Sequence, residues 1–325
     1  MAKRRRPHRE DYTVGWVCAL FIELAAAQEM LDEEHDDLDH DANDTNIYTL
    51  GRIGEHNVVI ACLPEGQIGT NSAAVVAVQM KSAFNSIRFG LMVGIGGGVP
   101  SVEAHLRLGD VVVGIPHKGH GGVVQYDLGK ATPSGFERTG FLNSPPAILL
   151  NSIAQLRAKH IRERSRLLEY ASKLNGLPTF AREDTGPDIL FQADYNHVGG
   201  ATCERCSKAR VVDRKPRIEE AVVHYGTIAS GNQVMRDAAE RDRVSSELGG
   251  VLCFEMEAAG LMNSFPCLVI RGICDYADSH KNKRWQPYAA GTAAAYAKEV
   301  LSVIPTADVV ELRTADEIIG ETQGS

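Results

Sequence analysis

The chain has 325 residues, of which 44% are hydrophobic, 6% aromatic and 23% charged, with a formal net charge of -8. That length buries a sizeable core, as one large α/β domain or two smaller ones, and the acidic balance gives no reason to expect a nucleic-acid partner, whose phosphates call for a basic excess. No run of about 18 apolar residues exists and no apolar segment follows the basic start, so neither a membrane span nor a secretory signal is expected. Seven cysteines, mostly inside apolar runs, fit a reducing, cytoplasmic setting.

The run KRRR makes residues 1–10 a solvated basic tail. TVGWVCAL reads as a first strand and IELAAAQEMLDEEH as a helix, which ends in the acidic run DEEHDDLDHDAND. A solvated loop is expected there, because a calcium loop needs a turn glycine that is missing. NIYTLGRI and HNVVIACLP read as a strand pair, TNSAAVVAVQMKSAF as a helix with a small face, and LMVGIGGGVP and LGDVVVGIP as two more strands. A long loop with a hairpin follows Pro116, then a charged helix over AILLNSIAQLRAKHIRERSRLLEYASKL. Polar, poorly periodic sequence marks an inserted, loop-rich lobe at about 155–220 within a single domain spanning 11–305. HYGTIAS, VLCFEMEAAGLM, PCLVIRGIC and GTAAAYAKEVLSVI restore the alternation, and 306–325 reads as a tail or linker. Strands alternating with helices predict a layered α/β fold.

Four features fall at the ends of predicted strands, where open α/β sheets bind ligands. They are Glu23, the glycines of VGIGGG (Gly96 and Gly97 among them), the pair Glu255 and Glu257 in FEMEAAG, and Asp275 in RGICDYAD. Singly, each has an ordinary reading as a turn, cap or helix start, and GIGGG lacks the dinucleotide spacing. His197, Cys203 and Cys206 include one CxxC, half of a structural zinc site; with no second CxxC or HxxxH, free thiols in a loop are the expectation and no metal is required.

Together, VGWVCALFIEL, VGIGGGVP with LGDVVV, IASGNQV, FEMEAAG and VIRGICDYAD resemble the nucleoside phosphorylase and nucleosidase family, over most of the chain from Thr13 to about Val303. The run VIRGICDYADSHKNKRWQPYAA is similar to the fungal branch that fronts immune receptors, some relatives of which are ATP nucleosidases. The resemblance implies a three-layer α/β/α fold on a twisted mixed sheet, and a homodimer or larger homo-oligomer. It also implies three catalytic carboxylates. Asp275 would protonate the purine, Glu257 would hold the ribose hydroxyls above Met256, and Glu23 would activate water. Val234 and Met235 would line the base pocket, with Gly96, Gly97, Glu255 and Arg271 around it. Relatives carry serine beside the acid where this chain has Cys274, so Asn232 or a backbone amide is expected to orient Asp275.

Breaking an N-glycosidic bond puts positive charge on the sugar and negative charge on the purine, so two carboxyl roles are needed. Phosphorolysis would instead need cations. Met92 stands where phosphorolytic relatives place an arginine, and Glu23 would repel phosphate, so hydrolysis is favoured. Lys281, Lys283 and Arg284 before Trp285, with His120 in the long loop, suit a phosphorylated substrate, most simply ATP, accompanied by magnesium. Two alternatives stay open: a purine phosphorylase, and a nucleoside-sensing domain without turnover.

Overall fold

The computed structural model describes residues 4–39, 44–162 and 165–323. Its centre is an 11-stranded mixed sheet between two layers of helices. In chain order the elements are β1 (Val14–Cys18), α1 (Phe21–Glu29), β2 (Glu33–Glu34), β3 (Tyr48–Ile53), β4 (His56–Cys62), α2 (Thr70–Ala83), β5 (Phe89–Gly98) and β6 (Val111–Gly114). Then come β7 (Val123–Gln125), β8 (Gly129–Thr132), β9 (Gly135–Arg138), α3 (Ala147–Arg162), α4 (Leu167–Ala171), β10 (Val223–Gly226), β11 (Ile228–Ser230), α5 (Ala238–Glu247), β12 (Cys253–Glu255), β13 (Cys267–Asp275), α6 (Gln286–Leu301), α7 (Thr306–Glu311) and α8 (Ala315–Gln323).

The main path runs β10-β6-β13-β5-β1-β4-β3-β2, with β8 and β9 forming a separate hairpin. β13, β5, β1 and β4 are mutually parallel. β5 and β13 are buried along nearly their whole length, which is why their sequences are continuous apolar runs with no polar alternation. On one face, Trp16, Ala26, Ala27, Ala290, Ala293, Ala297 and Val300 join α1 and α6 to the sheet. On the other, Ala73, Val76, Ala77 and Met80 of α2 meet Val17, Val59 and Val269. α6 packs against β13 at van der Waals distance because Gly272 has no side chain: a Cβ there would stand 1.8 Å from the Ala289 carbonyl oxygen.

Several expectations change. The acidic run is partly strand, with β2 paired to β3. Arg4 and Arg6 of the basic start form ion pairs with Glu34 and Asp39, so two stretches expected to be solvated separately lie side by side. The long charged helix is broken, with α3 ending at Arg162 and α4 starting at Leu167. Residues 306–323 form two short helices, tied down by buried Val309 and Ala315 and by the Lys81 to Asp316 ion pair at 2.9 Å, where a tail or linker was expected. No helix among the described residues is long and apolar enough to cross a membrane.

Candidate active site

Parallel strands point their carboxyl ends the same way, so groups that follow β1, β5 and β13 gather at one edge. Because β5 lies between β1 and β13, Glu23, which follows β1, and Asp275, which ends β13, flank its glycines. The glycine run is therefore no phosphate loop: residues 94–98 all belong to strand β5. Two of them make room for carboxylates. A Cβ at Gly94 would come within 2.4 Å of Glu23 Oε1, and one at Gly97 within 2.7 Å of Asp275 Oδ1.

Glu23, at 3% exposure, sits at the third position of α1. Its Oε2 accepts the N–H groups of Ala19 at 2.7 Å and Leu20 at 3.0 Å, and its Oε1 accepts that of Ile95 at 2.8 Å. Burial raises its pKa above the usual carboxylate range, opposed by Arg271 and these three amides. Glu257, at 6% exposure, accepts the Gly69 N–H at 3.3 Å and faces Arg271 Nη2 at 3.5 Å. Its pKa is pushed up to about 7, first by burial and then by the charges of Glu255 and Glu23, with Arg271 pulling the other way.

Asp275 Oδ1 accepts the Ala277 N–H at 2.8 Å and meets the Lys281 ammonium at 3.1 Å, while Cys274 Sγ stands 3.3 Å from Oδ2. Ala277 adopts φ +51°, an unfavourable left-handed conformation for a residue with a side chain, and this turn aims its amide at the carboxylate. Of the two groups expected to orient Asp275, the backbone amide is found and Asn232 is not. Asn232 accepts from Thr70 N at 3.0 Å and Thr70 Oγ1 at 3.1 Å and donates toward Asp127, bracing the start of α2. The Ala277 amide holds Asp275, joined by Lys281.

The three carboxylates line one cavity of about 210 Å³. Gly96, Gly97, Val234, Met235, Glu255, Met256 and Lys281 line it too, as do Gln233, Phe254, Ile68 and Gln286, which the sequence reading missed. Gln286 opens α6 and Ile68 precedes α2, and nothing in their local sequence marks them.

Five other expected contacts lie elsewhere. Arg271 is fully buried beneath the cavity; its Nη2 bonds Glu255, and its charge offsets Glu255, Glu257 and Glu23. Trp285 and Arg284 line a second cavity of about 270 Å³ on the far side of Cys274 and Asp275, and Arg182 stacks over the Trp285 ring at 4.3 Å. Lys283 is exposed and lines neither cavity. His120 bonds the Leu248 carbonyl at 3.1 Å and lines a separate cavity with Arg138. Loop cations carry no positional pattern in sequence, so their placement could not be read there.

Comparison with known proteins agrees with this architecture. Residues 14–302 match the profile described as the phosphorylase superfamily. A nucleotide-binding leucine-rich repeat (NLR)-like protein of Hyaloscypha variabilis is 51% identical over 92% of this chain, which spans only 30% of that relative's length. The 5'-methylthioadenosine/S-adenosylhomocysteine nucleosidase of Mycobacterium bovis is 26% identical over 90% of this chain and 97% of its own. The futalosine hydrolase structure from Helicobacter pylori shares the fold at a TM-score of 0.58 and 17% identity, covering 91% of this chain and 99% of that one. With its strand-end carboxylates, its parallel centre and this match across most of its length, the chain belongs to the phosphorylase superfamily.

Proposed function

We propose that this chain is a purine nucleosidase, hydrolysing the N-glycosidic bond of an adenine nucleoside or nucleotide. One observation carries the reading: Glu23, Glu257 and Asp275, from three distant parts of the chain, line a single cavity. Asp275 delivers a proton to the departing base, Glu257 accepts the ribose hydroxyls and stabilises the electron-poor ring, and Glu23 takes a proton from water. Hydrolysis is favoured over phosphorolysis because Lys281 is the one cation among the described residues lining the cavity, and it is already paired with Asp275. A phosphate nucleophile would meet four carboxylates and no free positive charge.

For the substrate, the resemblance to ATP nucleosidases supports ATP, giving adenine and ribose 5-triphosphate, with magnesium carried by the nucleotide. The scarcity of cations inside the cavity favours a second reading, an uncharged adenine nucleoside, in keeping with the named activity of the mycobacterial relative. Incubation with ATP, adenosine and methylthioadenosine, with released adenine resolved by chromatography and sugar products by mass, separates them. Turnover of ATP supports the first reading, turnover confined to the uncharged nucleosides supports the second, and release that rises with added phosphate overturns hydrolysis.

The pH dependence follows from Glu257. Its charged form holds the ribose and offsets the developing cation, and its pKa is pushed to about 7. Adenine release is expected to fall as the pH drops through about 7, and this limb should vanish in Glu257→Gln, whose residual activity no longer depends on that proton. A profile flat from pH 8 to pH 6, each roughly one unit from the pKa, would remove the assignment.

A homo-oligomer is part of the proposal. Ile68 and Val234 at the cavity are 49% and 50% exposed, and Val75 and Val78, one turn apart on α2, are 56% and 45% exposed, an apolar set that a second copy would cover.

A further inference from the structure

The inserted lobe gathers a donor set that the proposed hydrolysis does not use. The ligand atoms of His197, Cys203 and Cys206 all lie within 4.8 Å of one another. Both cysteines belong to the wall of the second cavity, which Asp278 and His280 line from beyond β13. His280, outside that group of three, is a further imidazole bordering the same cavity. It is 9% exposed, and neither ring nitrogen has a partner at hydrogen-bond distance, with Asp278 Oδ1 standing 3.7 Å from Nδ1. Its ring stands edge-on to that of His197, with centroids 5.6 Å apart, and its backbone carbonyl oxygen is 3.9 Å from Cys203 Sγ.

A buried imidazole with no partner is unfavourable unless something takes its lone pair. His197 is already oriented as metal-binding histidines commonly are: Nε2–H donates to the Thr202 carbonyl at 3.1 Å, so Nδ1 carries the lone pair. That lone pair now accepts the Gly199 N–H at 3.0 Å, a contact a metal would replace. Both cysteines are free thiols, available as thiolates to a cation that displaces their protons. Two cysteines and two histidines are a set that zinc takes in closed, tetrahedral structural sites.

We propose that His197, Cys203, Cys206 and His280 bind one zinc ion, which staples the inserted lobe onto the segment following Asp275. The loops it joins have little regular structure of their own: short 3-10 turns at Cys203–Arg205 and Lys208–Arg210, and a lone bridge between Phe191 and Val211. The metal is structural: the proposed proton transfers use none of its four ligands, although Asp275 borders the same second cavity, and its presence is independent of the hydrolysis reading.

The test uses the full chain produced in zinc-supplemented medium and desalted. Elemental analysis should find about one zinc per chain, falling to about a tenth or less in Cys203→Ser with Cys206→Ser. Because that variant can fail to fold, cobalt is exchanged into the unaltered chain. A thiolate-to-cobalt charge-transfer band with the intense visible bands of a tetrahedral site supports the proposal. Zinc well below one per chain with no such bands, a Cys203–Cys206 disulfide in the purified protein, or zinc content unchanged in the double serine variant overturns it. His280→Ala should lose zinc to a chelator faster than the unaltered chain; equal retention removes His280 from the ligand set.

Discussion

Asp275→Asn is expected to lower adenine release by about 10²–10⁴-fold on whichever substrate the chain turns over, with little loss of fold. The amide matches the carboxylate in shape, so its oxygen can still accept the Ala277 N–H that Oδ1 accepts at 2.8 Å. What it loses is the charge facing Lys281 and the capacity to carry a proton to the base. The charge-assisted contact with Lys281 is worth about 1–3 kcal/mol, so the melting temperature should drop by only a few degrees. Turnover under saturating substrate, with circular dichroism as the control for folding, reads both effects. A chain that only binds nucleosides would release no adenine at all, and the variant would change affinity alone. Release within threefold of the parent, roughly 0.65 kcal/mol by the Boltzmann relation, would mean that the proton reaches the purine by another route.

The convergence of Glu23 and Asp275 was legible in the sequence for one physical reason, whereas Glu257 follows β12, which runs antiparallel to β5, and was reached through the family resemblance. Parallel strands deliver the residues at their carboxyl ends to one edge, so carboxylates just past apolar runs are drawn together wherever their strands are neighbours, and β1, β5 and β13 are neighbours. The layered α/β class came from the same alternation. Lys281 was legible as a cation but its use was not: pairing with Asp275 depends on the turn at Ala277, whose left-handed backbone no residue preference announces. His120 and Arg138 show the converse, since charge alone does not say which of several cavities a loop will border. His280 opens the basic run HKNKR, where no local pattern sets it apart from the cations that follow. Its neighbours are Phe191, Tyr195 and His197 of the inserted lobe, contacts between segments some 80 residues apart that no local pattern reveals. Arg271 is the most instructive case: a cation inside an apolar strand reads as a pocket residue, and only the packing shows that its partners are carboxylates beneath the cavity.

That role makes Arg271 the residue whose loss should cost the most stability. It is fully buried, its Nη2 bonds Glu255 and stands 3.5 Å from Glu257, and its charge also acts on Glu23. Arg271→Met keeps most of the volume but leaves three buried carboxyl groups without a cation, and removing one partner of a buried ion pair costs about 3–5 kcal/mol. The deficit has a pH signature. With Arg271 present, Glu257 already titrates near 7, above the 4.5 of a free glutamate, so protonation favours the folded chain. Stability from this group is full below the unfolded value and is lost as the pH rises through the folded one. Without the guanidinium the carboxyls hold their protons to higher pH still, so the variant should be closest to the parent near pH 5 and furthest from it near pH 8, either side of that folded value by about one to two units. Adding Glu255→Gln should recover part of the loss, since the lone cation and its bonded carboxylate are removed together and the remaining carboxyls repel one another less. Urea unfolding of the three proteins at both pH values measures this. A deficit that does not change with pH, or that the second substitution deepens, would show that Arg271 acts through packing and not by balancing the charges on which the proposed ribose site depends.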